Sequence, residues 1–565
     1  MIKKFLQRIS NHQTQRISAA ALILSIASFL SFVLGLIRDR LLTSSFGAGN
    51  ELDVYYTAFR IPDFIALVLM TGAISVAVVP IFTQNLVKSK EKAFSYLANL
   101  LNVSLLVLIL VCAVLFILAP QLTSLIAPGF SMDKKEITTL LTRIMFISPI
   151  LMGISNIISA VLRIFQRFLI TALAPIVYNL GSIVGILFFV PIMGIKGLAW
   201  GIVFGALMHL LIQAPALFKT GFKIKKIFSF FDSDFLLTIK LTIPRAIGLA
   251  ATQINLIVIT IIGSTLLAGS VSVFNLANDL SLPIIGLIAV PFAVAVFPAL
   301  SLSFAKGEKE ALVQKFVSVF RQILFLIIPL SGLAFILRAQ LVRIVFGAGR
   351  FDWTDTKLTA ACFGVFMLGL FAQGLIYLVS KTFYSVKNTV IPTIASIISV
   401  AINTALAYSF VWALSFNNAF SNMVASGLKI QGMKNLAVVG LPLAVSLSAI
   451  FQLVLLLLLL KKKIGDFKAK ELLFFFGRVL LVTTLTMALS YFLRQMLGGF
   501  LGSETFIILF LQTSVVGILG LVIYLLTAGL FRLPEVKLLR NFILSQLPNS
   551  FSSRNEEISS ENCKK

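Results

Sequence analysis

Ionisable side chains lie within stretches of this chain that are otherwise apolar, and they are the residues best placed to do chemistry. A charge inside a bilayer costs about a few kcal/mol, so such residues usually face a cavity or a partner. Three groups stand out: Arg38 with Asp39; Arg60 with Asp63, three apart and therefore on one helix face; and Arg245 with Asn278 and Asp279. The planar guanidinium group of arginine suits the oxygens of a diphosphate. If the groups converge, they form a cleft for an anionic head group, in which the carboxylates orient the arginines or carry coupling cations or protons.

A structural interpretation of the same residues stays open. Arg60 with Asp63, and Arg245 with Asp279, would then be ion pairs that join helices, and Arg143 would belong to either arrangement. Pro62 lies between Arg60 and Asp63 and predicts a bend there, because proline removes a helical hydrogen bond. Further prolines with nearby glycines in the second and eighth apolar stretches predict helix breaks, which membranes tolerate where they line a cavity.

The composition indicates which kind of secondary structure holds these residues. Of the 565 residues, 59% are hydrophobic and 12% are charged, whereas a soluble protein has about 45–50% apolar and about 25% charged residues. A soluble globular enzyme is therefore excluded, and the apolar runs predict an all-α, polytopic membrane protein. A spanning helix needs about 20 mostly apolar residues, and about fourteen such stretches can be identified.

The distribution of basic residues among the loops predicts how the chain is oriented in the membrane. The net charge is +26, and the loops predicted inside hold almost three times as many basic residues as the outer loops if the N-terminus is inside. Both termini are therefore predicted to be cytoplasmic. The basic loops are interpreted as contacts with membrane lipids, and no nucleic acid is expected because no recognisable binding motif accompanies them.

The sequence shows none of the usual signatures of an enzyme. It has no phosphate-binding GK[ST] loop, no nucleophile elbow and no metal-ligand spacing, and its three cysteines form no C-x-x-C. We therefore expect no enzyme activity, no metal and no cofactor. Energy would come from an ion gradient, the membrane potential or substrate turnover.

Weak matches recur in the same order with an offset near 218 residues. The clearest pairs Ser75–Pro80 with Ala293–Pro298. An even number of spans per copy predicts two parallel six-helix repeats, which suit alternating access to a central cleft. The predicted parts are a cytoplasmic segment (1–16), an N-lobe (17–235), a C-lobe (236–460), two extra helices with a cytoplasmic linker (461–534) and a disordered cytoplasmic tail (535–565).

The stretch from Gly35 to Phe64, GLIRDRLLTSSFGAGNELDVYYTAFRIPDF, resembles the lipid II flippase family (MurJ, also called MviN). The G-x-x-R-D turn, the F-G-A-G loop and the A-F-[RK]-[IL]-P segment are all in place. Further matches are VVPIF at Val78, APGF at Ala127, and Ala174-Pro175 followed by Asn179. The resemblance covers roughly residues 17 to 530.

The resemblance implies the fold of the multidrug/oligosaccharidyl-lipid/polysaccharide exporter superfamily. It also implies a flippase in the bacterial inner membrane that moves undecaprenyl-diphosphate-linked peptidoglycan precursor from the inner to the outer leaflet for cell-wall synthesis. Proteins of cell-wall synthesis are a further class of candidate partner. Arg38 and Asp39 match the Arg-Asp pair that the family has at the end of span 1, and Asp53 matches its acidic residue in the first outer loop.

The sequence departs from the family pattern at three cavity arginines. Their positions fall on Phe32, Ala66 and Asn278. Arg60 and Arg245 are candidates to compensate.

Two alternatives to transport of the peptidoglycan precursor stay open at this point. One keeps the superfamily and changes the cargo to another polyprenyl-diphosphate oligosaccharide or a drug. The other is a transport-inactive membrane scaffold that recruits partners through its basic inner loops and tail.

Overall fold

The computed structural model describes residues 17–71, 74–501 and 505–537. All regular structure there is helical. The α-helices are α1 (Ile17–Phe46), α2 (Asn50–Ile65), α3 (Ile74–Lys88), α4 (Lys90–Ile117), α5 (Ala119–Ile126), α6 (Met132–Met145), α7 (Ile147–Ile164), α8 (Phe168–Val184), α9 (Val190–Met193), α10 (Lys196–Phe218), α11 (Ser233–Ser264), α12 (Ser270–Ile284), α13 (Val290–Ala305), α14 (Lys309–Ile336), α15 (Arg338–Phe346), α16 (Trp353–Ser385), α17 (Val390–Leu414), α18 (Ala419–Leu428), α19 (Gly440–Ile464), α20 (Ala469–Leu501) and α21 (Phe506–Leu530).

Twelve helical segments of the described residues are long and apolar enough to span a membrane. Beside these, α1 and the pair α2–α3 occupy the first two predicted spans. The prediction of an all-helical, multi-pass membrane protein is confirmed, and the number fourteen is approximate. The predicted segment 1–16 and residues 538–565 of the predicted tail lie outside the described residues.

The predicted helix breaks are present in the second and eighth spans. A π-helical segment, Ala66–Thr71, follows α2 and begins four residues after Pro62. Another, Ile285–Ala289, follows α12 and begins two residues after Pro283. Each proline lacks the N–H that would close a helical turn, so the backbone widens locally. The two breaks are 219 residues apart at their first residues, as the offset of the sequence repeat predicts.

Helix boundaries follow the same offset. Lys90–Ile117 recurs as Lys309–Ile336, and the short Ala119–Ile126 recurs as Arg338–Phe346. The repeat is thus visible in the order and length of the helices. The division into two lobes related by a rotation about the membrane normal stays a prediction.

The first compact unit comprises residues up to 280, 345–363 and 393–448. Within it α8 packs on α10 at very short range, because glycines face each other across the contact. A Cβ atom on Gly185 would lie 2.2 Å from the Cα of Gly201, and one on Gly181 would lie 2.5 Å from the Cα of Gly205. This close packing fixes α8, which in turn contacts α1.

The second compact unit comprises residues 281–344, 364–392 and 449 onward. In it α14 packs on α20, and α20 on α21. Glu535, which the sequence placed in a disordered tail, is instead buried and forms an ion pair with Arg321 at 2.8 Å.

Candidate functional site

Arg38 and Asp39, near the C-terminal end of α1, form the first part of the candidate site. The Nε and Nη2 atoms of Arg38 both donate to one carboxylate oxygen of Asp39, at 2.9 and 2.8 Å. The Asp39 side chain is buried, whereas that of Arg38 keeps 23% of its surface exposed. The predicted residues are therefore paired with each other, and the arginine still has an accessible face.

Asn179 of α8 is the second partner of Arg38, whose Nη1 atom lies 3.4 Å from the amide oxygen. The amide nitrogen of Asn179 donates to the side-chain oxygen of Ser31 at 3.1 Å. A cavity of about 410 Å³ lies beside these hydrogen bonds, and Ser31, Phe32 and Pro175 are among the residues that line it. Asn179 was not predicted as a site residue, and its one signal was its place after the Ala174-Pro175 motif.

Arg60 of α2 is buried, with 9% of its surface exposed. Its Nε atom donates to the hydroxyl of Thr260 on α11 at 2.9 Å, and its Nη2 atom donates to the amide oxygen of Asn275 on α12. Asp63 interacts electrostatically with Arg60 but accepts its hydrogen bond from Gln253 on α11, at 3.1 Å. The structural interpretation of Arg60 and Asp63 as a direct ion pair is therefore replaced by bonds to neutral partners on other helices.

Asp279 of α12 joins the two arginines into one charged cluster. It interacts electrostatically with Asp39, Arg38 and Arg60, and it accepts a hydrogen bond from the neighbouring Asn278. Asp279 and Asn278 are both half-buried. The side chain of Arg245 lies outside what the structure describes, so its place in the cluster stays a prediction.

Tyrosines of α2 complete the surroundings of the cluster. Tyr55 and Tyr56 both interact electrostatically with Asp279 and with Asp39. The hydroxyl of Tyr56 is buried and has no hydrogen-bond partner among the described residues. The Tyr56 hydroxyl is therefore a donor without a described acceptor beside the charged groups, and no motif in the sequence points to it.

Asp53, one of the predicted supporting residues, caps the N-terminus of α12. One carboxylate oxygen accepts from the backbone N–H of Ser272 at 2.8 Å, and the other accepts from that of Gly269 at 2.7 Å. The N-terminus of a helix favours such a negative charge. Asp53 thus holds α12, the helix of Asn278 and Asp279, against the start of α2.

The two other supporting residues have different surroundings. Pro62 is buried inside α2, shortly before the π-helical segment. Arg143 of α6 donates to the backbone carbonyl of Phe116 at 3.2 Å, and its guanidinium lies 5.0 Å from the centre of that ring. The described contacts of Arg143 are therefore with α4 rather than with the charged cluster.

The F-G-A-G tetrapeptide occurs twice, at Phe46–Gly49 and Phe346–Gly349, and the two copies interlock. The backbone N–H of Arg350 donates to the carbonyl of Ser44 at 3.0 Å, and the Thr43 hydroxyl donates to the carbonyl of Phe346 at 3.0 Å. We call residues 43–51 and 345–355 together the FGAG latch. The sequence shows both copies, but only the fold brings them together.

A carboxylate adds to the latch. Asp355 at the start of α16 accepts from the backbone N–H of Ala48 at 3.0 Å. Arg350 also lies 3.7 Å from Glu51, with both side chains exposed. The latch begins four residues after Asp39, so it adjoins the charged cluster along α1.

Known proteins carry the same architecture. The chain is 24% identical to a solved structure titled lipid II flippase MurJ, inward closed conformation, with a TM-score of 0.72 and coverage of 90% of this chain and 98% of that one. An inward-facing multidrug resistance transporter of the MATE family of the MOP superfamily gives a TM-score of 0.61 at 15% identity, over 80% of this chain and 99% of that one. These likenesses show the fold.

Curated relatives extend the likeness to the sequence. A probable lipid II flippase MurJ of Vibrio cholerae is 27% identical over 447 residues, which are 75% of this chain and 85% of the relative. One of Buchnera aphidicola subsp. Acyrthosiphon pisum is 28% identical over 384 residues, which are 67% of this chain and 75% of the relative. The family model described as lipid II flippase MurJ matches residues 42–511, which include Arg60, Asp63, Asp279 and the FGAG latch, and so the chain belongs to the MurJ family of flippases, which are transporters rather than enzymes.

Proposed function

We propose that this protein moves lipid II, the lipid-linked precursor of peptidoglycan, from the inner to the outer leaflet by alternating access. Membership of the family and the names of its relatives support this activity. The membrane is the bacterial inner membrane, with both termini in the cytoplasm as the basic loops indicate. The prenyl chain of the cargo would stay among the membrane lipids while the head group passes through the protein.

The observation that carries the proposal is the cluster of Arg38, Asp39, Arg60, Asp63 and Asp279 among apolar helices. Ionisable residues at such a position usually mark a substrate path, because desolvating them is costly. The Arg38 side chain keeps 23% of its surface exposed, and a planar guanidinium can bind phosphate oxygens through two parallel hydrogen bonds. The cluster therefore supplies guanidinium donors that suit the oxygens of a diphosphate.

The cluster carries positive charge despite the departures from the family pattern. By the resemblance, Phe32, Ala66 and Asn278 stand at the positions of three cavity arginines. Arg60 lies within electrostatic range of Asp279, so positive charge is present in the same neighbourhood although it enters from a different position on α2.

The direct test measures lipid II in the outer leaflet of cells whose own flippase has been depleted and which carry this protein instead. We expect the wild-type protein to restore exposure of lipid II, and Arg38→Ala to abolish it. Arg143→Ala is the matched control, because Arg143 lies in the same compact unit and contacts Phe116 instead of the cluster. We expect it to transport normally.

A second variant separates transport from folding. Arg38→Ala leaves the buried Asp39 without its partner, which destabilises a protein by itself. The double variant Arg38→Gln, Asp39→Asn removes both charges together, and we expect it to fold and still fail to transport. Full transport by this variant would refute the role of Arg38. No exposure of lipid II by a correctly inserted wild-type protein would instead indicate another cargo or a scaffold role.

No cofactor is expected for this activity, and we propose that an ion gradient or the membrane potential drives it. Cell-wall synthesis proteins are the protein partners that the proposed activity predicts, since they consume lipid II on the outer face.

A further inference from the structure

The described charged side chains of the cluster do not have the balance expected of an anion site. Two arginines, Arg38 and Arg60, face three carboxylates, Asp39, Asp63 and Asp279. The excess charge is therefore negative, and counting Arg245 as well would bring it only to zero. A diphosphate diester is doubly negative at neutral pH, so it meets no net attraction while all three carboxylates are ionised.

The hydrogen bonds that the two arginines already form within the protein reduce their attraction for an incoming anion further. Two N–H groups of Arg38 are occupied by Asp39. Two N–H groups of Arg60 are occupied by Thr260 and Asn275. An incoming anion must therefore compete both with a carboxylate and with neutral acceptors, in a buried place where unpaired charges are costly.

The geometry points to a proton that enters the cluster together with the anionic cargo and is taken up by Asp279. This inference rests on the proposed function and names what accompanies the cargo. The oxygen of the Asp279 carboxylate forms an O–H bond with a proton drawn from water, and the cluster loses one negative charge. The neutral carboxyl then becomes a donor to a phosphate oxygen, where the carboxylate would repel it.

Asp279 is the candidate because it lies near a second carboxylate, Asp39, and forms no direct ion pair with an arginine among the described residues. Asp39 accepts two bonds from the guanidinium of Arg38, and Asp63 accepts one from Gln253. The bond from Asn278, on its own helix, is the hydrogen bond that supports Asp279. Asp279 is half-buried, and when a carboxyl with little access to water lies near a second carboxylate, one of the two tends to hold a proton.

The groups that face Asp279 come from two helices. Arg38 and Asp39 face it from α1, and Tyr55, Tyr56 and Arg60 face it from α2. When the cargo binds, its two negative charges compete with the Asp279 carboxylate for the arginines. The ionised form of Asp279 is then stabilised less. Proton uptake and anion binding therefore favour each other.

The test counts protons by calorimetry. The purified full-length protein is titrated with lipid II that carries a shortened, water-soluble prenyl chain, in buffers of different ionisation enthalpy at one neutral pH. The dependence of the measured heat on the buffer gives the number of protons taken up per ligand bound. We expect a value near one for the wild-type protein, and an affinity that rises by up to tenfold for each unit by which the pH is lowered.

Variants assign the proton to a residue. We expect Asp279→Asn to bind the ligand with an affinity independent of pH and with no proton uptake, because the amide mimics the neutral carboxyl. Glu471→Gln, at an exposed residue paired with Lys468 on the second compact unit, should keep the uptake.

Each outcome decides a separate point. Ligand binding by the wild-type protein without proton uptake overturns this inference and leaves the proposed function standing, and it does not depend on any variant folding. Binding that requires Mg²⁺ and takes up no proton also overturns it, because a cation would then neutralise the carboxylates. Uptake that survives in Asp279→Asn refutes the assignment to that residue. Absence of binding at every pH refutes the proposed function, and this inference with it.

Discussion

The effect of one substitution in the FGAG latch can be worked out from the interatomic distances there. Gly349 has a φ of +54°, and a Cβ atom there would lie 2.2 Å from the carbonyl oxygen of Ser44. The obstructing atom belongs to the backbone of α1, so it cannot swing aside as the end of a flexible side chain would. Gly349→Ala should therefore open the latch.

Two free-energy costs add up when alanine occupies position 349 in the closed latch. An L-residue in the left-handed region costs roughly 1–2 kcal/mol. Loss of the bond from the Arg350 N–H to the Ser44 carbonyl costs about 1 kcal/mol. Together they reach about 2–3 kcal/mol, which shifts an equilibrium between closed and open latches by about 30- to 150-fold.

The assay uses a cysteine at a buried position inside the latch. Thr43 is fully buried and donates to the carbonyl of Phe346, so Thr43→Cys reacts with a membrane-impermeant maleimide only when the latch opens. Cys563 is replaced by serine in every variant, whereas Cys112 and Cys362 are buried and stay. We expect Gly349→Ala to raise the labelling rate by at least tenfold.

Gly307→Ala provides a matched control. Gly307 also has a positive φ, +74°, but a Cβ atom there would meet no heavy atom within 4 Å. It carries the same backbone strain without the collision, and the labelling of Thr43→Cys should not change. Equal labelling in the Gly349→Ala protein and its parent would refute the argument that the latch keeps this region closed.

Three further substitutions test the surroundings of the cluster. Asp53→Ala removes the cap of α12 and should lower the free energy of unfolding by about 0.5–2 kcal/mol, measured by thermal denaturation in detergent, whereas Asp133→Ala at an exposed helix start should have a smaller effect. Tyr56→Phe removes the free hydroxyl beside the cluster and should weaken binding of the short-chain lipid II by about 2- to 10-fold, without lowering the melting temperature. Gly185→Ala forces α8 away from α10 and should cost about 1–3 kcal/mol, while Gly517→Ala, which meets no atom within 4 Å, should cost almost nothing.

The helices could be predicted from the sequence because each one depends on local composition. Runs of apolar residues predict spanning helices wherever the bilayer is the solvent. Pro62 and Pro283 predict the breaks of the second and eighth spans because proline disturbs the helix that contains it, whatever surrounds it. Arg38 and Asp39 are neighbours in the chain, so their pairing also needed no knowledge of the fold.

The partners of Arg60 could not be predicted in the same way. Asp63 lies three residues away on the same helix and was the natural candidate for an ion pair. The observed acceptors, Thr260 and Asn275, are 200 and 215 residues away and are ordinary polar residues in apolar helices. Their choice depends on how α11 and α12 are rotated against α2, and spacing within one helix carries no information about the rotation of another.

These distant partners give Arg60 a consequence for movement. Its guanidinium ties α2 to α11 through Thr260 and to α12 through Asn275. A phosphate oxygen that takes over those N–H groups breaks both ties, because each N–H donates well to only one acceptor at a time. Under the proposed function, cargo that binds at Arg60 would exchange these two bonds for bonds to itself, while Asp53 and Asp63 continue to tie α2 to α12 and α11. The exchange would weaken only the contacts of α2 near the cluster, and it would link occupancy of the cluster to the change of access that transport requires.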